Sequence, residues 1–132
     1  MENAAARQGP VVLVVDDDNG VRNSLKFLLE IEGFVVKLYG DARALLDDAE
    51  RPRNGCLVVD YNLPGLNGLA VLEQLRKRGE LMPAILITSD ASSAVRQRSS
   101  AIETLVIEKP LLDTTLVDTL RKIFGTPPES TA

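Results

Sequence analysis

The sequence predicts an α/β fold, a five-stranded parallel sheet doubly wound with five helices. Two observations carry that expectation. Apolar and amphipathic runs alternate five times along 132 residues, as they do when crossover helices link parallel strands. Three of the apolar runs, VVLVV, CLVV and AILIT, contain almost no polar residue, which suits strands covered on both faces. The length allows one core and no second domain.

The elements follow in order. The first strand is expected at 11–15 and the first helix through Val21, Leu25, Leu28 and Leu29, stopping at Gly33. A second strand is expected at 34–38. Asp41 then caps a helix carrying Ala42, Leu45, Leu46 and Ala49. The third strand is placed at 56–59, followed by a helix with Val71, Leu72 and Leu75 that stops at Gly79, and the fourth strand at 84–88. The helix at 91–101 has the thinnest apolar face, Ala91, Ala94 and Val95, so it is expected to be mobile or to face a partner. The fifth strand lies at 104–107. Asp113 or Thr114 caps the last helix, which carries Leu116, Val117, Leu120, Ile123 and Phe124. The domain is expected to span 10–124, with flexible tails at 1–9 and 125–132.

Composition narrows the function. Hydrophobic residues make up 45% and charged residues 26%, close to the globular average. MENAAARQG lacks the apolar run of a signal peptide, and no stretch is long enough to cross a bilayer, so a cytoplasmic protein is expected, with no membrane contact. The net charge of −4 and the absence of a basic stripe argue against nucleic acid as a partner. There is no histidine, which excludes a Ser-His-Asp triad, most zinc sites and a phosphohistidine of the chain's own. Cys56, the sole cysteine, sits in an apolar run and reads as a small buried hydrophobe.

In an open parallel sheet, ligands bind beyond the carboxyl ends of the strands. Strand one ends in Asp16, Asp17 and Asp18, strand three in Asp60, strand four in Thr88, Ser89 and Asp90, and strand five in Glu108, Lys109 and Pro110. Taken singly, each has an ordinary explanation: a solvated strand end, a helix cap, a turn residue, a surface lysine. Taken together, carboxylates converging on one edge repel one another unless a cation sits among them, and Mg2+, a hard ion that shares carboxylates with phosphate, fits. Lys109 adds a positive charge and Thr88 a hydroxyl, the groups a transferred phosphoryl needs around its oxygens. In-line displacement onto Asp60 would give an acyl phosphate.

The motifs VLVVDDD, LVVDYNLPGLNG, ILITSD and VIEKP, in this order and spacing, resemble the receiver domain of two-component response regulators across nearly the whole chain, from Val11 to Phe124. The resemblance implies a flavodoxin-like sheet of order 2-1-3-4-5. It implies that Asp60 is the phosphoacceptor, that Asp17 binds Mg2+ directly and Asp16 through water, and that Asn62 contributes its backbone carbonyl. Thr88 would be the switch hydroxyl, Lys109 the contact to a phosphoryl oxygen, and Lys109-Pro110 a cis peptide. Asn62 and Asp90 match positions that tune hydrolysis. One position departs from the family: Val106 stands where an aromatic ring usually swings inward, and a β-branched side chain cannot make that excursion.

As partners the resemblance implies a histidine kinase or histidine phosphotransfer protein, touching Val21, Arg22, Leu25, Leu111 and Leu112, and a downstream protein target. Homodimerisation through the fourth and fifth helices is left open. The chain would be no enzyme in its own right but a phosphoacceptor that assists its own phosphorylation and dephosphorylation, and it is expected to act without an output domain. The alternative is a receiver-like binding module that is never phosphorylated. A nucleotide-binding flavodoxin relative is disfavoured, because the first turn, DDDNGVR, is acidic where a phosphate loop is glycine-rich.

Overall fold

In the computed structural model, which describes residues 11–111 and 114–125, five strands alternate with five helices. They are β1 (Val11–Val15), α1 (Asn19–Ile31), β2 (Val35–Tyr39), α2 (Ala42–Asp47), β3 (Cys56–Asp60), α3 (Gly68–Lys77), β4 (Ala84–Thr88), α4 (Ser93–Ala101), β5 (Thr104–Glu108) and α5 (Thr115–Phe124). All strand pairs are parallel and the order is β2-β1-β3-β4-β5. The expected tails, Leu112 and Asp113 fall outside the described residues, apart from Gly125.

Every residue of β1, β3 and β4 is buried, while β2 and β5 at the sheet edges are partly exposed. Alternate residues of the central strands feed two cores because side chains alternate across a strand. Leu13, Val15, Leu57, Val59 and Leu86 pack under α2, α3 and α4. Val12, Val14, Val58, Ile85 and Ile87 pack under α1 and α5.

Several helix faces differ from expectation. On α1 only Leu25 and Leu29 are buried; Val21 and Leu28 are exposed, as are Phe27 and Ile31. The band of apolar residues is wider than the strip that one neighbouring sheet can cover. Helix α2 ends at Asp47 and leaves Ala49 exposed. On α4 the buried pair is Val95 and Ser99, while Ala94 faces solvent. Residue i+4 from Val95 is a serine, so the true face was hidden by its polar chemistry. Phe34 belongs to the turn after α1, its N–H bonded to the oxygen of Leu29, and β2 therefore begins one residue late.

Asp41 caps α2 through the N–H of Ala44 at 2.8 Å. Thr114 stands at the cap position of α5, but its hydroxyl donates to Asp118 Oδ2 instead. Gly33 and Gly79 follow α1 and α3 with φ of 97° and 86°, the left-handed conformation that ends a helix at least cost to glycine. No helix among the described residues is long and apolar enough to cross a membrane.

Candidate functional site

Strand pairing alone brings the acidic residues together. Val15 is in register with Val59, so one step further along each chain Asp16 and Asp60 leave neighbouring strands on the same sheet edge. Asp60 pairs with Ile87, and Thr88 with Glu108, which sets Thr88 and Lys109 beside them. One carboxylate oxygen from each of Asp16, Asp17 and Asp60 lies within 4.8 Å of the other two. Asp16 and Asp60 are buried, whereas Asp17 is exposed.

Loop backbones hold these side chains in place. The N–H of Tyr61 bonds the oxygen of Ile87 at 2.8 Å, that of Gly68 bonds the oxygen of Tyr61 at 2.8 Å, and that of Lys109 bonds the oxygen of Thr88 at 2.7 Å. At Gly68 the first turn of α3 runs so close to β3 that an added Cβ would sit 2.2 Å from the Asp60 main-chain oxygen. Only glycine fits there. Asn67 caps the helix through the N–H of Ala70 at 2.8 Å. The Lys109-Pro110 peptide is cis, as the resemblance implied.

The electrostatics favour a cation. Lys109 Nζ lies 3.1 Å from Asp60 Oδ1, and the N–H of Asn62 donates to the same atom at 3.3 Å. Both contacts fall on Oδ1; Oδ2 takes no hydrogen bond among the described residues. Burial pushes the Asp16 carboxyl above its ordinary range and the Asp60 charge adds to that, while the N–H of Asp18, donated to Asp16 Oδ1, opposes both. A carboxylate destabilised in this way is relieved by a bound cation. Oxygen donors of this kind suit Mg2+.

Thr88 is buried, and its hydroxyl accepts from the N–H of Asp90 at 3.0 Å and donates to the Asp90 oxygen at 3.3 Å. The second bond is long and easily exchanged. Asn62 and Asp90 are exposed. Val106 is half-buried on the edge strand and, with its neighbour Leu105 49% exposed, presents no ring to move.

Of the expected partner contacts, Val21 is exposed and Leu25 is buried in the core. Arg22 turns its guanidinium onto the Asp16 backbone. Sequence reasoning missed Gly40, Gly68 and the inward role of Arg22, since each depends on a contact between separate segments. Cys56 is fully buried, and burial pushes its thiol up to about 12, in keeping with an inert side chain.

A family model described as response regulator receiver domain matches residues 12–121. Among curated proteins, the transcriptional regulatory protein FixJ of Azorhizobium caulinodans is 37% identical over 116 residues, covering 86% of this chain and 54% of that protein. The chain thus spans about half the length of the curated relatives it matches. Among solved structures, FixJ-N superposes with a TM-score of 0.79 at 32% identity, covering 91% of this chain and 97% of that one. The response regulator TrrA of Thermotoga maritima, solved in complex with Mg(2+)-BeF, gives 0.75 at 27% identity, with coverage of 87% and 99%.

Proposed function

The chain belongs to the response regulator receiver domain family, and from that membership we propose that Asp60 accepts a phosphoryl group in the presence of Mg2+ from a histidine kinase or phosphotransfer protein. The observation that carries the reading is the joint placement of three carboxylates within 4.8 Å and of Lys109 Nζ 3.1 Å from the acceptor. The Mg2+ complex of TrrA, in the same fold, supports the choice of ion.

Asp16, Asp17 and Asp60, with the Asn62 carbonyl, would hold the cation, which supplies positive charge to the transferred oxygens. A carboxylate oxygen of Asp60 attacks phosphorus, an O–P bond forms, and the donor's bond to phosphorus breaks with the electron pair leaving on the donor. Lys109 would leave Asp60 Oδ1 for a phosphoryl oxygen. Thr88 gives up its 3.3 Å bond to Asp90 and turns its hydroxyl to another oxygen, drawing the start of the β4–α4 loop with it. Hydrolysis restores the carboxylate when water attacks the same phosphorus, the bond from phosphorus to the Asp60 oxygen breaks with its electron pair left on the carboxylate, and inorganic phosphate leaves.

The test is incubation with Mg2+ and acetyl phosphate followed by intact mass. The chain is expected to gain the mass of one phosphoryl group, and Asp60→Asn none. An unmodified wild-type chain, or an equal gain on Asp60→Asn, would overturn the assignment.

A further inference from the structure

Asp16 is restrained by three hydrogen bonds. Its N–H donates to the oxygen of Tyr39 at 3.1 Å, and its Oδ1 accepts from the N–H of Asp18 at 2.9 Å. Its main-chain oxygen accepts from Arg22 Nη1 at 2.7 Å. The same guanidinium donates through Nη2 to Asn19 Oδ1 at 3.0 Å, and the N–H of Arg22 bonds the oxygen of Asp18 at 2.9 Å. The acidic loop is thus wrapped around one arginine, which holds it by charge-assisted bonds.

Gly40, one residue beyond β2, makes room for this. A Cβ there would lie 3.3 Å from Arg22 Nη1, and the residue has no left-handed φ that would call for glycine. Its small size is what the position uses.

We propose that Arg22 is a positioning residue for the divalent cation, fixing the Asp16 backbone so that Asp16 and Asp17 present their carboxylates together. The inference rests on the reading that these residues hold Mg2+. Its sign separates it from plain electrostatics. Deleting a positive charge beside an acidic cluster should, by Coulomb's law alone, tighten a cation. Deleting a positioning residue should loosen it.

Mg2+ titration of the unphosphorylated chain, followed by the amide shifts of Asp16 to Asp18, decides between them. Arg22→Ala is expected to weaken Mg2+ about tenfold, within the range seen when the support of a metal ligand is removed. At saturating Mg2+, its rate of phosphorylation by acetyl phosphate should return to within about twofold of wild type, because the reacting groups are intact. Arg22→Lys, which can restore one donor but not the fork, should fall between. Gly40→Ala, which nudges the guanidinium without removing its charge, should weaken Mg2+ by a smaller factor. If Arg22→Ala does not fold, Arg22→Lys and Gly40→Ala carry the same sign test. Unchanged or tighter Mg2+ binding in the folded variants, with wild type titrating normally, overturns the inference alone. A wild-type chain that does not titrate overturns the metal reading and the inference with it.

Discussion

The hydroxyl of Tyr39 donates to Asp48 Oδ2 at 2.6 Å, and Lys37 Nζ bonds the same oxygen at 2.9 Å. Tyr39's bond, followed by that of Lys37, holds the Asp48 carboxyl down at about 2 against an ordinary 3.8. Burial, followed by the Asp48 partner, pushes the Tyr39 phenol upward. A carboxylate with a depressed folded pKa contributes stability that is fully present above 3.8 and is lost as pH falls through about 2. Tyr39→Phe should therefore be less stable than wild type above that window, and the gap should narrow inside it. Urea unfolding at a series of pH values measures this, and a gap independent of pH would contradict it. Asn62 and Asp90, two residues beyond Asp60 and Thr88, are exposed, and polar side chains at such positions can hold an attacking water. The acyl phosphate is expected to be short-lived, and Asn62→Met with Asp90→Leu to lengthen its life severalfold in Mg2+, measured by decay of the phosphorylated mass. No change in decay would remove the two side chains from that role. The gathering of Asp16, Asp17, Asp60 and Lys109 was legible because each follows an apolar run; the contact of Arg22 was not, because nothing local marks an arginine that reaches six residues back to a main-chain oxygen.

At the scale of elements, α4 stands apart. It buries Val95 and Ser99 alone, and the Ser99 hydroxyl is buried with no hydrogen-bond partner among the described residues. Its outer ties are a two-pronged pair of Arg98 with Glu73 at 3.1 and 2.7 Å and a 3.8 Å pair of Arg96 with Glu108, of which the second, long and exposed, adds little. Removing an orphaned hydroxyl while gaining helix propensity should stabilise Ser99→Ala by about 1 kcal/mol, read as a raised urea midpoint at constant slope. An unchanged or lower midpoint would mean that the hydroxyl has a partner. The central strands were readable as near-continuous apolar runs of four or five residues, too short for a buried helix. The boundaries of β2, α2 and the face of α4 were not, since they turn on how a loop enters the core and on which small polar residue the sheet covers.

Across the whole molecule, Asp16, Asp60 and Lys109 occupy one rim of the sheet and a buried ion pair the other. Arg51, 4% exposed, pairs with Glu80 and donates to the oxygens of Leu45 and Asp48 at 3.3 and 3.0 Å. Arg76 draws in the same segment through the oxygens of Glu80 and Met82. Glu80→Ala leaves a buried guanidinium uncompensated and should cost about 3 kcal/mol, while the folded variant should accept phosphate at the wild-type rate. Denaturant titration and the mass assay together check both halves, and a slowed reaction would show that the two rims are coupled. Sequence could not reveal this pair, whose members stand 29 residues apart, although the doubly wound topology itself was plain from the alternation of runs. If both halves hold, durability and reactivity have separate addresses, and a lineage adapting to heat or cold could retune the rim that holds Arg51 and Glu80 and leave the other as it found it.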